Sequence, residues 1–196
     1  MNRIRLVNGP GQVGEVLLAQ LREHALVIGK VTLSSGAEAE YYVDVKRAIL
    51  RPEGFRAVGA LIAAEATDRG AEAVGGLTMG ADPLASAAIG DPAGDGLIAF
   101  FVRKERKDHG LQRWIEGPIL DPGTKCLVVE DVVTTGGSTV KAIERIREEG
   151  HEVVGVVSVL DRLAGGGEAI EDASQAPYTP LFTIDDLYPD RPDRSA

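Results

Sequence analysis

The chain has 196 residues and sets 21 Lys and Arg against 30 Asp and Glu, a net charge of -9. At about 150 residues per domain this fits one compact domain with length to spare, able to bury roughly 70% of its unfolded surface without a disulfide or structural metal. A hydrophobic content of 44% excludes global disorder, 24 Gly with no Gly-X-Y repeat exclude collagen, and 5% aromatics argue against a base-stacking platform for single strands.

In chain order, residues 1–10 read as a loose arm ending in Gly9-Pro10. Val13, Val16, Leu17 and Leu21 then recur at helical spacing, and Gly29 is the expected stop. Residues 31–33 and 41–45, rich in β-branched and aromatic side chains, flank Ser34-Ser35-Gly36 and predict a hairpin. Pro52 opens a helix carried by Phe55, Val58, Leu61 and Ile62 to a stop at Gly70. Strand 73–77 leads into helix 82–89, strand 97–102 into a basic stretch, and strand 126–129 into helix 138–149, stopped by Gly150. Strands 153–160 and 181–184 complete the set. Residues 164–180, with Gly165-Gly166-Gly167, Pro177 and Pro180, read as an irregular excursion, and the end from Asp190 reads as a disordered tail. Short apolar strands separated by helices predict an α/β fold, a mostly parallel central sheet flanked by helices. The expected division is an N-terminal helix and hairpin hood over 1–50, a core over 51–190 with a lid at 103–117, and a tail at 191–196.

A surface this negative repels nucleic acid and anionic membrane unless a local patch reverses its sign. Such a patch runs from Arg103 to Arg113, where Arg103, Lys104, Arg106, Lys107 and Arg113 outnumber Glu105 and Asp108. A small anionic ligand fits this balance better than a polymer. Cys126 is the single cysteine and lies in the apolar run Cys126-Leu127-Val128-Val129, so a buried, inert thiol is expected. No apolar run reaches the ~20 residues of a membrane span, and no signal-length stretch follows Arg3 and Arg5. A soluble, cytoplasmic protein is the expectation.

The most informative segment is Leu127-Val128-Val129-Glu130-Asp131-Val132-Val133-Thr134-Thr135-Gly136-Gly137-Ser138-Thr139. An apolar strand ends in two carboxylates, and a loop of Thr, Gly and Ser then opens a helix. Ligands of parallel sheets bind beyond the carboxyl ends of strands, and a helix start offers unpaired N–H groups and a positive dipole end. The glycines let backbone approach a phosphate, and the hydroxyls add donors. The carboxylates can accept from sugar hydroxyls, so the segment reads as a ribose-5-phosphate cradle. It holds neither Gly-x-x-x-x-Gly-Lys-Ser/Thr nor Gly-x-Gly-x-x-Gly. The alternative is an ordinary turn in which Thr and Ser only cap the helix. Adjacent like charges, unfavourable unless something binds there, favour the cradle. The basic stretch also has two readings, a solvated turn or a lid closing on diphosphate. Four cations within five residues repel one another unless an anion or solvent relieves them. His24 and His151 read as structural, and Trp114 as lid packing.

The run from Val128 to Ser138 resembles the phosphoribosyl-diphosphate signature of the type I phosphoribosyltransferases. Arg103-Lys104-Glu105-Arg106-Lys107-Asp108-His109-Gly110 resembles the Arg-Lys-x-x-Lys-x-His-Gly loop of the orotate phosphoribosyltransferases. Leu33-Ser34-Ser35-Gly36 with Tyr41-Tyr42-Val43-Asp44 is similar to their N-terminal hood, and Leu160-Asp161-Arg162 to the place of their orotate-holding arginine. The resemblance implies the type I fold and transfer of ribose 5-phosphate from 5-phosphoribosyl 1-diphosphate to N1 of orotate. The products would be orotidine 5'-phosphate and diphosphate, a step of pyrimidine (UMP) biosynthesis, with Mg2+ as cofactor and no direct protein ligand to it. By the same resemblance, Arg103, Lys104, Lys107 and His109 meet the diphosphate, and Glu130 and Asp131 hold the ribose hydroxyls. Lys104, Lys107, His109 and Asp131 would be the catalytic set. Val132, Val133, Thr134, Thr135, Gly136, Gly137 and Ser138 complete the phosphoribosyl site, and Thr134 and Arg162 meet orotate. A homodimer sharing its lids is implied, with no nucleic-acid or membrane partner. Two departures stand out: Ala37 replaces a cation common after Ser35-Gly36, and the loop Gly75-Gly76-Leu77-Thr78-Met79-Gly80-Ala81-Asp82-Pro83 lacks a Lys often found near Gly80. Lys30, Lys46 and Arg47 are candidate substitutes. Two rival readings share parts of the pattern. A purine phosphoribosyltransferase has no reason to hold a carboxylate with Arg162, and a regulator that senses phosphoribosyl diphosphate usually needs a nucleic-acid surface that a chain of -9 lacks.

Overall fold

Along β6 (Lys125–Val133) successive apolar side chains leave on opposite faces: Leu127 and Val129 join one core cluster, Cys126 and Val128 a second. A strand apolar on both faces is stable only between two covering layers. The computed structural model describes residues 10–32, 38–105 and 113–195, and it shows both layers. On one face Leu127 and Val129 cluster with Leu17 of α1 (Pro10–Gln20), Val58 and Ile62 of α3 (Pro52–Asp68) and Leu84 of α4 (Asp82–Gly90). On the other, Cys126 and Val128 cluster with Ile143 and Ile146 of α5 (Gly137–Glu148) and Ile170 of α6 (Gly166–Ser174). Each fully buried Leu or Ile contributes about 1.5–3 kcal/mol. Cys126 is buried as expected, its thiol pushed up to about 12 by burial and by the charge of Glu72.

The main sheet takes in β3 (Ala73–Leu77), β4 (Ile98–Val102), β5 (Ile115–Glu116), β6, β7 (Glu152–Asp161) and β8 (Tyr178–Thr183), in the order β5-β4-β3-β6-β7-β8. All its pairings are parallel except β4 with β5. The chain places β4 beyond β3 and β7 beyond β6, so the strand order reverses between β3 and β6. A crevice opens at the carboxyl ends of strands at such a switch point. β3 fits there because it is lean: a Cβ on Gly75 would meet the Phe100 carbonyl, and one on Gly76 the Val129 carbonyl. A separate antiparallel pair joins β1 (Leu26–Thr32) to β2 (Glu38–Val43).

Several boundaries differ from the sequence expectation. Pro10 already begins α1, and a wider helical turn over Leu21–Ala25 follows it. Gly29 therefore lies inside β1 and stops no helix; Val27 and Ile28 before it favour extended backbone. β2 ends at Val43 because Asp44 turns the chain, its Oδ1 accepting from the Lys46 amide at 3.2 Å at the start of α2 (Lys46–Ile49). β6 does not end at Val129, because β7 goes on pairing with it as far as Val133 opposite Asp161. The region expected to be irregular holds α6 and the start of β8, and Pro180 is tolerated because β8 is an edge strand. The described part of the tail is also ordered: Pro192–Ser195 forms a helical turn, and Arg191 pairs with Asp185 at 2.9 Å. Among the described residues no helix is long and apolar enough to cross a membrane. Leu33, Ser34, Ser35, Gly36 and Ala37 lie outside them, as do Arg106 to Gly110 with Lys107 and His109.

Candidate active site

Glu130 and Asp131 sit inside β6, not beyond its end; the pleat starts their side chains in opposite directions, but their carboxyls converge again beside Gly80. Glu130 turns toward α5, where the Thr139 hydroxyl donates to its Oε2 at 3.1 Å. Asp131 turns toward α2, where Lys46 Nζ donates to its Oδ2 at 2.7 Å. Both residues are buried, and the β3–α4 loop lies against both. A Cβ on Gly80 would come within 2.6 Å of Asp131 Oδ1 and 3.0 Å of Glu130 Oε1.

Beyond β6 the chain wraps a cavity of about 120 Å³ lined by Glu130 and residues 132–139. The cap position of α5 is Gly136, which has no side chain to cap with, so the amides of the first turn remain available. This decides against a turn that Thr or Ser merely caps. Gly136 has φ 77, and a Cβ there would lie 2.8 Å from the Gly166 carbonyl, so glycine is required twice over. Thr134, Thr135 and Ser138 are exposed at the rim. A roomier cavity of about 670 Å³ lies at the opposite end of the sheet, and Glu72, Asp95 and Asp121 in its wall make it unsuited to an anion.

The acidic pair is costly to charge fully. Burial first, then the neighbouring Asp131 charge, pushes the Glu130 carboxyl up to about 8. Burial opposes the Lys46 charge, but the hydrogen bond and charge of Asp131, with Asp44 at 3.3 Å, outweigh it and raise its pKa. The folded protein thus holds a proton on Glu130 that the unfolded chain releases near 4.5. That contribution is complete below about pH 4.5 and is lost as the pH rises toward 8. The melting temperature of the ligand-free protein is expected to fall across this window, and Glu130→Gln to flatten the slope. An unchanged slope in the variant would contradict a protonated Glu130.

Arg162 follows β7, and its amide donates to the Val133 carbonyl at 2.9 Å, which brings it beside the mouth of the cradle. Its turn is pinned by Asp161, whose Oδ1 accepts from the Leu163 amide at 2.7 Å and whose Oδ2 accepts from the Tyr178 hydroxyl at 3.0 Å. The guanidinium lies 5.5 Å from the centre of the Tyr41 ring. Tyr41 is fixed in turn by the C-terminal segment: its hydroxyl donates to Asp193 Oδ2 at 3.0 Å, and Tyr188 packs edge-on at 5.5 Å. No sequence motif marks this link, because it depends on a tail that composition alone assigns to disorder.

The root of the basic loop is anchored. Arg103 pairs with Glu116 at 2.9 Å, so its guanidinium faces β5 and not the cradle. Arg145 of α5 donates to the Arg103 carbonyl at 2.6 Å and to the Lys104 carbonyl at 2.9 Å, and it stacks 4.2 Å over the Trp114 ring. Arg145 escaped the sequence reading because a helix surface arginine carries no local signal. Lys104 is exposed beside a cavity of about 510 Å³ that Thr78 and Phe101 also line. The structure thus brings together Glu130, Asp131, residues 132–138 and Arg162, with Lys46 added.

Residues 48–180 match the family described as Phosphoribosyl transferase domain. The orotate phosphoribosyltransferase of Streptomyces avermitilis is 50% identical over 173 residues, covering 87% of this chain and 94% of that protein. The chain belongs to the orotate phosphoribosyltransferase family. Its fold is the type I phosphoribosyltransferase fold. The crystal structure of the Mycobacterium tuberculosis H37Rv orotate phosphoribosyltransferase with Fe(III) dicitrate superposes with TM-score 0.80 at 44% identity, covering 89% of this chain and 98% of that one. The same enzyme in complex with 5-phospho-alpha-D-ribosyl 1-diphosphate gives TM-score 0.75 at 39% identity, with the same coverage. In this chain Asp131 of the acidic pair is engaged by a lysine from α2.

Proposed function

We propose that the protein transfers ribose 5-phosphate from 5-phosphoribosyl 1-diphosphate to N1 of orotate, releasing orotidine 5'-phosphate and diphosphate. The observation that carries this reading is the place of Arg162, a half-buried cation held by backbone at the mouth of a phosphate cradle. A carboxylate-bearing base has a partner there; a purine has none. The relatives named as orotate phosphoribosyltransferases and the neighbour solved with phosphoribosyl diphosphate support the same substrates.

The barrier lies in breaking the anomeric C–O bond, which leaves positive charge on the ribose and negative charge on the diphosphate. Amides of residues 136–139 and the hydroxyls of Thr134, Thr135 and Ser138 hold the 5-phosphate. Glu130 and Asp131 accept from the ribose hydroxyls and lie close to the developing positive charge. Lys104, Lys107 and His109 of the lid meet the departing diphosphate and exclude water. No nucleophile of the protein is needed.

The acidic pair fits Mg2+ held through other groups: Glu130 favours its protonated form, and Asp131 is taken by Lys46 in the empty site and by the ribose hydroxyls once substrate is bound, so a hard cation here would take its oxygens from the substrate and water. When bound, Mg2+ withdraws charge from the diphosphate as a Lewis acid. Residues 1–50 act as a hood over the site of 51–190, and the enzyme works in the cytoplasm as a homodimer with shared lids. Purified protein mixed with orotate, phosphoribosyl diphosphate and Mg2+ is expected to form orotidine 5'-phosphate and diphosphate in equal amounts. Diphosphate release without orotidine 5'-phosphate would contradict the reading.

A further inference from the structure

We infer that Lys46 is the diphosphate-binding cation on the side of the site away from the basic loop, parked on Asp131 until substrate arrives. The inference rests on the proposed use of phosphoribosyl diphosphate but not on the choice of base.

Five observations lead to it. Lys46 Nζ lies 2.7 Å from Asp131 Oδ2 and 3.3 Å from Asp44 Oδ1, so a positive charge already stands at the carboxylates of the cradle. Its backbone is fixed, because Val45 and Ile49 on either side are fully buried. Its side chain is 41% exposed, so the ammonium can change partners on a flexible four-carbon stem. The β3–α4 loop supplies no such charge, since residues 78–81 hold no cation and a Cβ on Gly80 would press on the Asp131 and Glu130 carboxyls. Lys30 and Arg47, the other candidate substitutes, are exposed, and neither is paired with the acidic residues as Lys46 is.

The exchange of partners follows from charge. Ribose hydroxyls are neutral donors that compete for Asp131 Oδ2, while a diphosphate offers Lys46 several negative oxygens in place of one carboxylate. Substrate entry therefore releases Asp131 to the ribose and moves Lys46 to the diphosphate. Pairing in the empty site keeps the buried carboxylate from standing uncompensated.

The test is calorimetric titration, in Mg2+, of the wild type, Lys46→Met and Lys46→Arg with three probes: phosphoribosyl diphosphate, inorganic diphosphate and ribose 5-phosphate. A charge-assisted hydrogen bond is strong enough that Lys46→Met should bind the two diphosphate-bearing probes at least about tenfold more weakly. Ribose 5-phosphate, which lacks the diphosphate, should bind within about twofold of wild type, and Lys46→Arg should keep most of the affinity for all three. Circular dichroism confirms that each variant is folded. Loss of ribose 5-phosphate binding with diphosphate binding intact would show that Lys46 only orients Asp131 and would overturn the proposal. Unchanged affinities for all three would overturn it equally. These probes carry no base, so a protein that fails on orotate yet shows the predicted pattern refutes only the choice of base. A wild type that binds no phosphoribosyl diphosphate refutes both.

Discussion

Lys107→Ala and Asp131→Asn, each inactive alone, are expected to regain about a quarter of wild-type activity once their subunits exchange. In a random mixture half the dimers are hybrids, and a lid acting in trans leaves one intact site in each. The geometry behind this begins at the loop root. The Arg103 and Lys104 carbonyls are tied to Arg145, and the Arg103 guanidinium to Glu116. The root thus rises from β4, whereas the cradle follows β6, with β3 between the two. A two-fold partner can lay its lid over the opposite cradle. Lys107→Ala alone should lower kcat while largely sparing the affinity for phosphoribosyl diphosphate, since a group engaged only on closure acts on the transition state. If the lid acts in cis, every site in a hybrid carries one lesion and nothing returns. No recovery after proven exchange would contradict the shared site.

Arg162→Ala should raise the KM for orotate tenfold to a hundredfold while leaving that for phosphoribosyl diphosphate nearly unchanged, as about 1.5–3 kcal/mol is lost with a hydrogen bond to a charged group. The side chain is half-buried, stacked near Tyr41 and set by a turn that Asp161 and Tyr178 hold. Steady-state kinetics with each substrate varied in turn makes the measurement. If both constants move together, Arg162 is no carboxylate anchor and supports the site only through its packing.

The cradle was legible because its chemistry is local: strand, carboxylates, glycines and hydroxyls follow one another within thirteen residues. The alternating β–α pattern was legible for the same reason, since β3, β4, β7 and their helices each carry their own apolar period. What the sequence hid depends on contacts between distant segments. Glu130 and Asp131 look like the end of a strand, yet pairing with β7 carries β6 on to Val133. α6 was hidden by three glycines, though Ile170 is fully buried against the second core cluster. The setting of Arg162 was hidden because the Tyr41 ring beside it is held by Asp193, 152 positions further along the chain. Lys46 was visible as a candidate, but only the fold puts it on Asp131 and leaves Lys30 and Arg47 exposed.

The central claim is that this cradle serves a carboxylate-bearing pyrimidine, and base competition tests it most directly. Initial rates are measured with phosphoribosyl diphosphate and Mg2+ and, in turn, orotate, adenine, guanine and xanthine. Loss of orotate absorbance and no turnover of the three purines are expected. Equal or faster turnover of any purine would contradict it.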